Sequence, residues 1–201
     1  KNGQRYLFYT VSESINRNLP VELALLPFIE SQFDPYAQSS TGASGIWQFI
    51  LSTAREQKLK KNWWYDGRRD IVASTGAAYD YLTKLHSKYD DWLLAIAAYN
   101  AGPNRISKEI KKNLAKGLPT DFWSLNLPKE TKAYVPKLLA LVEVIKNPSK
   151  FSVDIPFLPN RPYFQLVTLP SQVDLMQVAN ISGLKLEVIY ELNPGFNQWA
   201  T

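Results

Sequence analysis

The sequence predicts an all-α domain over residues 1–150, followed by a small α+β segment. Apolar residues recur at helical spacing through most of the first 150 residues, and period-2 alternation is nearly absent there. A proline-rich stretch then precedes a short alternating run near residue 163. With 201 residues, 45% of them hydrophobic, the chain is long enough for one sizeable domain and a small one.

Seven helices are predicted in the first domain. They cover residues 4–18, 21–31, 47–57, 70–88, 91–101, 104–115 and 129–146. Leu19-Pro20 separates the first two, and Pro27 predicts a kink or a late start in the second because proline removes a helical hydrogen bond. The run 91–101 is the most uniformly apolar, which predicts a buried central helix, and Gly102-Pro103 ends it.

The rest of the chain divides into a linker and a tail. Residues 151–162 contain Pro156, Pro159 and Pro162, which predicts an extended, semi-rigid linker. In the tail, residues 163–169 predict a strand, and residues 171–180 and 184–192 predict two short helices. The predicted domains are therefore residues 1–150 and 163–201, joined by the linker 151–162.

Composition and charge narrow the possible functions. The net charge is +5, but residues 151–201 carry two basic and four acidic residues, so the basic charge lies in residues 1–150. Such a domain suits an acidic cell-wall polymer or nucleic acid, although solvated helix faces explain the charge equally well. No groove-reading motif is recognised, so nucleic acid is not an expected partner. The absence of cysteine and the single histidine exclude thiolate metal sites and argue against a Ser-His-Asp triad. No metal or organic cofactor is expected.

Glu30 ends an apolar helical run and precedes a proline turn and a loop of small residues. At helical spacing, Leu23, Leu26 and Phe33 share a face with it, so we expect its carboxyl group to lie partly among apolar side chains. Desolvation there would raise the pKa of Glu30, as a general acid acting near neutral pH requires. The alternative is a surface glutamate at the end of a core helix.

Three motifs occur in order along the first domain. They are ESQFDP at residues 30–35, with Ser39 and GASGIWQ at 42–48; AYNAG at 98–102; and ETKAYV at 130–135. Together they resemble the soluble-lytic-transglycosylase family, whose domain is similar to goose lysozyme. The resemblance covers roughly residues 5–150 and implies a lysozyme-like fold. The tail, with Gly183 and Leu192-Asn193-Pro194, resembles the first part of a LysM carbohydrate-binding module.

The resemblance implies an enzyme that cleaves the bond between N-acetylmuramic acid and N-acetylglucosamine in peptidoglycan and forms a 1,6-anhydro ring. Glu30 would be its acid and then its base. Substrate contacts would come from Ser39 and Gln48 near the cleaved bond, Tyr99 and Asn100 in the cleft, and Tyr134 beside the catalytic carboxyl group. Outside such motifs, these residue types usually serve as turn residues, caps or core aromatics.

Several alternatives remain open at this point. Asp34 is the nearest second carboxylate and would support a hydrolytic muramidase, but beside Pro35 it is more typical of a turn. A non-catalytic peptidoglycan-binding scaffold is a further alternative. Trp63, Trp64 and Trp123 are candidates for stacking on sugar rings or for packing. Arg68 and Arg69 are candidates for binding peptide carboxylates, or for pairing with Asp66 and Asp70.

The expected partner is therefore the peptidoglycan glycan strand, and the expected state is a monomer. From the family resemblance we expect a periplasmic, outer-membrane-associated location. No run approaches the roughly 20 apolar residues of a membrane span. Any membrane anchor would lie in an N-terminal segment outside this sequence, which starts at Lys1 and not at an initiator methionine.

Overall fold

The computed structural model describes residues 3–201, and the regular elements in this range are helical. Extended pairing within it is limited to isolated bridges. None of its helices combines the length and apolar composition needed to cross a membrane. The α-helices are α1 (Gly3–Asn16), α2 (Leu26–Ser31), α3 (Leu51–Glu56), α4 (Ile71–Tyr89), α5 (Trp92–Ala101), α6 (Pro103–Leu114), α7 (Lys129–Lys146), α8 (Leu175–Ser182) and α9 (Leu186–Leu192). Short 3₁₀ turns cover Val21–Leu25, Phe122–Ser124 and Pro148–Phe151.

The all-α prediction for the first domain is confirmed, and Pro27 has the predicted effect. The 3₁₀ turn Val21–Leu25 comes first, and α2 begins only at Leu26, with Pro27 in its first turn. Proline is tolerated there because the first N–H groups of a helix have no partner within it. The predicted eleven-residue helix is therefore a 3₁₀ turn followed by a short α-helix.

The central helix α5 is also where the sequence predicts it. Asp91 caps its start, since its Oδ1 accepts hydrogen bonds from Leu93 N (2.6 Å) and Leu94 N (3.0 Å). The residues 94–98 are all buried. Gly102 has φ +86°, a conformation that glycine adopts at little cost, and α6 starts at Pro103. Helices α6 and α7 both pack against α5.

The chain divides into two compact units, and the boundary lies within α4. One unit joins the chain up to Ala78 with Leu158–Thr201, and the other is Tyr79–Phe157. In the first unit, Tyr6, Phe33 and Trp47 are among the largest fully buried side chains. Trp47 Nε1 donates a hydrogen bond to Thr75 Oγ1 (3.0 Å), so the one polar atom of this buried indole is satisfied. The division into residues 1–150 and 163–201 with a linker between them remains a prediction.

The prediction of a strand at residues 163–169 is wrong. This segment is irregular and largely exposed, and no strand pairs with it within residues 3–201. A lone strand leaves its backbone groups without ladder partners, so alternation alone does not produce one. The two predicted tail helices do form, as α8 and α9. They enclose a small apolar cluster of Leu175, Ala179 and Ile189.

The tail is bound to the N-terminal part of its own unit by specific polar contacts. Tyr6 Oη donates to the Glu191 carbonyl oxygen (2.9 Å), and Arg5 Nη2 lies 2.5 Å from Glu191 Oε2. Burial raises the pKa of Tyr6 to about 12, which keeps this hydroxyl a donor across the physiological range. Farther along, Asp66 N donates to the Gly195 carbonyl oxygen (2.8 Å). Residues 186–195 are thus part of the same folded unit as residues 5–66.

The fit of the tail makes Gly195 sensitive to substitution. A Cβ atom there would lie 2.7 Å from Tyr65 Cε2 and 3.0 Å from Asp70 Cβ. We expect Gly195→Ala to lower the free energy of unfolding by about 1–3 kcal/mol, the cost of overpacking, measured by denaturant unfolding. Gly76→Ala in α4 is the control, because its Cβ would lie an ordinary 3.5 Å from the flexible end of Arg17. Equal stability of the two variants would contradict the tight fit.

Candidate active site

Glu30 is the penultimate residue of α2 and is half-buried. The apolar residues expected around it, Leu23, Leu26 and Phe33, are each at most 1% exposed. They do not share one helical face, because Leu23 belongs to the 3₁₀ turn and Phe33 follows the end of α2. Glu30 therefore lies at the end of α2, close in the chain to residues of the apolar core. The 3₁₀ turn before α2 and the chain reversal after it fix the direction of its backbone.

The chain reverses immediately after Glu30 through two left-handed residues. Gln32 has φ +54° and Phe33 has φ +59°, values that non-glycine residues rarely adopt. Gln32 N donates to the Phe28 carbonyl oxygen and Phe33 N to that of Pro27, both at 3.1 Å, which closes the helix end. Burial of the Phe33 ring favours this reversal, which starts the loop back towards α2. Strained backbone of this kind is a frequent feature of functional sites.

The returning loop, residues 37–49, is attached to the end of α2 by a side-chain hydrogen bond. Ser31 Oγ lies 3.0 Å from the Ile46 carbonyl oxygen and 3.2 Å from that of Pro27. Within the loop, Ser44 forms isolated bridges with Gln38 and with Phe49. The residue next to Glu30 therefore links the candidate acid to the loop that carries Ser39 and Gln48.

The side chains of Ser39 and Gln48 both take part in the internal bonding of this loop. Ser39 Oγ accepts from Ala43 N (3.0 Å) and lies 2.9 Å from Thr41 Oγ1. Gln48 Nε2 donates to the carbonyl oxygens of Ala37 (3.1 Å) and Gly45 (2.8 Å). Ser39 remains exposed and Gln48 half-buried. Both residues brace the loop, and their predicted contacts with substrate remain proposals.

The guanidinium group of Arg68 fixes the loop 37–49 by hydrogen bonds to its backbone. Arg68 Nη1 donates to the carbonyl oxygens of Gly42 (2.8 Å) and Phe49 (3.2 Å), which are seven residues apart in the loop. The backbone also approaches closely: Gly45 has φ +85°, and a Cβ there would lie 1.8 Å from the Arg68 carbonyl oxygen. Only glycine fits at position 45, for steric and conformational reasons together.

Asp66 neutralises Arg68 in a buried, bidentate ion pair. Arg68 Nε lies 3.0 Å from Asp66 Oδ1 and Nη2 lies 2.7 Å from Oδ2, and each residue is 5% exposed. Burial alone would raise the pKa of Asp66. The hydrogen bonds and the positive charge of Arg68 outweigh it and hold the pKa below its ordinary value. Of the two roles open to Arg68, the structure favours pairing with Asp66.

Arg69 and Asp34 also have local partners. Arg69 hydrogen-bonds to Asn197 and lies 5.8 Å from the centre of the Tyr36 ring. Asp34 Oδ1 accepts from Tyr36 N (2.9 Å), the turn geometry expected beside a proline. Asp34 thus stabilises the turn that follows α2, which is the role that the sequence offered as the alternative to catalysis.

The other three candidate residues lie in the second unit, on α5 and α7. Asn100 Nδ2 donates to Glu130 Oε1 (3.1 Å), and Asn100 Oδ1 accepts from Thr131 Oγ1 (2.8 Å). Tyr99 is half-buried with its ring 5.8 Å from that of Tyr81. These contacts bring the second and third motifs together across α5 and α7.

Tyr134, the remaining candidate, is 5% exposed on α7. Glu30, Ser39 and Gln48 belong to the first unit, whereas Tyr99, Asn100 and Tyr134 belong to the second. The sequence left the role of Arg68 and Asp66 in the site undecided. In the structure this pair holds the loop 37–49, and so it affects the site without belonging to the predicted site residues. Their close spacing in the sequence was the one signal for a pair.

Comparison with known proteins adds a family match. Residues 10–120 match the Transglycosylase SLT domain. The chain is 46% identical over 194 residues to membrane-bound lytic murein transglycosylase D of Escherichia coli, covering 96% of this chain and 43% of that protein. The chain thus spans less than half the length of this relative.

Two further similarities have different coverage. The chain is 40% identical over 147 residues to a putative tributyltin chloride resistance protein of an Alteromonas species, covering 73% of this chain and 70% of that protein. Among solved structures, an inactive variant of lytic transglycosylase Slt from Pseudomonas aeruginosa has 26% identity and a TM-score of 0.48, covering 72% of this chain and 24% of that chain.

Removing the Arg68 guanidinium should destabilise the first unit strongly. Arg68→Met leaves the buried Asp66 carboxylate without its bidentate partner, with only Lys61 Nζ at 4.0 Å among the cations paired with it in residues 3–201, and two loop carbonyl groups without their donor. We expect a loss of about 3–5 kcal/mol in the free energy of unfolding, measured by denaturant titration. Arg55→Met, at an exposed site in the last turn of α3, is the matched control and should cost less than about 1 kcal/mol. Similar losses in the two variants would refute the anchoring role.

The same pair should make stability depend on acid pH. The pKa of Asp66 is lower in the folded state than the value of about 3.9 expected when unfolded. Its contribution is therefore complete above pH of about 4 and is lost as pH falls through the lowered folded pKa. Asp66→Asn removes this titration, so we expect the stability difference between the two proteins to shrink on acidification. Unfolding at a series of pH values tests this, and a constant difference would contradict it.

Proposed function

The chain belongs to the transglycosylase SLT domain family, and we propose that it is a lytic transglycosylase of peptidoglycan. The observation that carries the proposal is the placement of Glu30, half-buried at the end of α2 and tied through Ser31 to the loop 37–49. The family match includes this region. The Escherichia coli relative named as a murein transglycosylase supports the same substrate class.

The proposed reaction uses Glu30 twice. As a neutral acid, it donates its proton to the glycosidic oxygen between N-acetylmuramic acid and N-acetylglucosamine, and the N-acetylglucosamine side leaves as an alcohol. The Glu30 carboxylate then accepts the proton of the muramic C6 hydroxyl while O6 bonds to C1. The product is a 1,6-anhydro ring, no water is consumed, and Glu30 ends protonated as it began. The acetamido group of the substrate stabilises the positive charge that develops at C1.

The surroundings of Glu30 support this use of one carboxyl group. Partial burial beside Leu26 and Phe33 disfavours a negative charge, and so does the C-terminal end of a helix. Hydrolysis normally uses a second carboxylate as nucleophile or base. Asp34, the nearest in sequence, accepts a hydrogen bond from Tyr36 N instead. The transglycosylase reaction needs no second carboxylate, because the attacking hydroxyl comes from the substrate.

The proposed substrate contacts lie in the loop and in the second and third motifs. We assign Ser39 and Gln48, on the braced loop, to the acetamido and hydroxyl groups near the cleaved bond. Tyr99 and Asn100 are assigned to the wall of the substrate cleft, and Tyr134 to the neighbourhood of the catalytic carboxyl group. A loop that is already fixed by Arg68 pays little ordering entropy when substrate binds, which favours productive orientation.

Location and cell-wall association are proposed from the similarity to the same family. A relative named as membrane-bound supports a periplasmic, membrane-associated site of action, with the outer membrane as the expected membrane. The glycan strand is the proposed partner, and the LysM-like tail is proposed to contribute to its binding. The excess of basic residues in 1–150 suits the carboxylates of the muramyl peptides.

The central test is Glu30→Gln, which keeps the size of the side chain and removes the proton donor. We expect turnover of isolated peptidoglycan to fall by roughly 10²–10⁴-fold, the usual contribution of general acid–base catalysis. Release of soluble muropeptides is the measurement. Unchanged turnover in this variant would rule out an enzymatic role for Glu30.

Asp34→Asn is the matched control, because the amide oxygen of asparagine can still accept from Tyr36 N. Its turnover should stay within a few-fold of the unmutated protein. Mass spectrometry of the products separates the two reactions, since the anhydro product is one water lighter than the reducing end formed by hydrolysis. Reducing ends alone, together with loss of activity in Asp34→Asn, would support a muramidase instead.

A further inference from the structure

We propose that Trp63, Trp64 and Trp199 form a glycan-binding surface that holds the sugar rings of a peptidoglycan strand in addition to the Glu30 site. We call these three residues the tryptophan cluster. The proposal rests on the proposed function for the identity of the glycan. It assigns a role to a part of the molecule that the cleavage reaction does not use.

The three indole rings are exposed, and the ring of Trp64 contacts those of Trp63 and Trp199. Trp63 is 63% exposed, Trp64 36% and Trp199 54%. The ring centres of Trp63 and Trp64 are 4.8 Å apart at an interplanar angle of 85°, and those of Trp64 and Trp199 are 5.5 Å apart at 67°. In each edge-to-face pair the edge of one ring covers one face of the other, and the uncovered faces remain available to a ligand. A contiguous exposed apolar patch with polar residues at its rim is a feature of binding sites.

Backbone hydrogen bonds hold the cluster in place, although Trp199 is far from Trp63 and Trp64 in the sequence. Asn62 Oδ1 accepts from both Trp64 N and Tyr65 N at 2.8 Å, which fixes the loop that carries the first two rings. Asn197 N donates to the Trp64 carbonyl oxygen (2.7 Å), and this bond joins the loop to the tail. Because these backbones are already ordered, a ligand would not bear the cost of ordering them.

Trp199 is positioned by the tail helices. Leu175 N, at the start of α8, donates to the Trp199 carbonyl oxygen (2.7 Å), and Ala200 forms a bridge with Asp174. The ring of Phe196 lies 5.6 Å from that of Tyr65 and packs the tail against the loop. The cluster therefore exists only when the tail is docked on its own unit.

The rim of the cluster matches a charged glycan better than a lipid or an apolar protein surface. A sugar ring has C–H bonds on its faces and hydroxyl groups around its edge, so it needs aromatic faces flanked by polar groups. Lys60, Lys61 and Asn62 flank Trp63 and are exposed, and Gln198 lies beside Trp199. Asp66, the carboxylate nearest to Trp63 in the sequence, is buried and paired with Arg68, and Lys61 Nζ lies 4.0 Å from its Oδ2. The cationic rim complements the carboxylates that muramyl peptides carry.

Trp123 provides an internal comparison. It is 62% exposed, about as much as Trp63. Its ring packs edge-to-face with the ring of Phe122, at 4.9 Å, and not with another indole among residues 3–201. It lies in the second unit, outside the cluster. A lone indole of this kind is common on protein surfaces, which makes Trp123 a matched control for the loss of an exposed ring.

The experiment measures binding in the Glu30→Gln background, where cleavage does not remove the ligand. Trp63→Ala and Trp199→Ala should each weaken co-sedimentation with isolated peptidoglycan by about tenfold, the scale of one lost stacking contact. Trp63→Tyr should retain part of the binding, and Trp123→Ala should bind as the parent does. Thermal unfolding of each variant verifies that it is folded.

A titration of the protein with all six tryptophans intact makes the measurement independent of the folding of any variant, and variants serve only to assign signals. The six tryptophans give six indole N–H signals in NMR spectra. Addition of chitohexaose, a β-1,4-linked oligomer of N-acetylglucosamine, should shift the signals of the cluster. Trp→Phe variants assign these signals. A titration in which the three cluster signals stay fixed would overturn the proposal.

Two further results would overturn it without touching the catalytic assignment. One is equal peptidoglycan binding by the parent, Trp63→Ala and Trp199→Ala. The other is that the Trp63→Ala and Trp199→Ala variants bind glycan as the parent does but no longer bind vesicles of phosphatidylglycerol, which the parent binds. That result would make the cluster a lipid contact. Analysis of the products made by the protein with Glu30 intact tests the proposed function separately, so the two proposals fail independently.

Discussion

The ion pair of Arg68 and Asp66 is the interaction on which the candidate site depends. The loop 37–49 has no helix or ladder to organise it, and two of its carbonyl oxygens point at one buried guanidinium group. Only arginine combines a fixed charge with a planar set of donors, so it can bind a carboxylate and two carbonyl groups at once. A buried ion pair contributes little net stability by itself. Its value here lies in specifying one loop conformation, since any apolar replacement would leave those carbonyl groups unsatisfied.

The fixed conformation of the loop also determines the position of Glu30, because hydrogen bonds and a backbone reversal close to Glu30 connect the two. Ser31 bonds to the loop at Ile46, and the left-handed residues Gln32 and Phe33 return the chain to it. The strain at these two residues is tolerated because the Phe33 ring is buried and because the helix end is closed by hydrogen bonds. These links fix the backbone on both sides of Glu30. The same elements that stabilise the unit therefore orient the proposed acid.

The sequence predicts local features of this fold well and long-range ones poorly. Asp91 acts through its side chain on the next N–H groups, and Pro27 and the Gly102-Pro103 pair act through their own backbone, so the bounds of α5 and the late start of α2 follow from local residue types. The position of Glu30 at a helix end also follows. The partner of Arg68 was left open, because bidentate geometry and burial depend on contacts that no spacing encodes. For residues 163–169 the sequence predicted an element that does not form. Their alternation predicts a strand, but no strand pairs with them within residues 3–201.

The tail illustrates how a long-range contact changes the meaning of a sequence pattern. Four prolines between residues 148 and 162 are typical of a spacer that separates modules. Beyond them, however, Glu191, Gly195 and Asn197 bond to Tyr6, Asp66 and Trp64, so residues 158–201 fold with the chain up to Ala78. A segment docked through backbone hydrogen bonds and a glycine that admits no Cβ cannot act as a freely tethered module while it stays bound. Any part that it takes in binding the cell wall must therefore be played from a fixed position on the unit that carries Glu30.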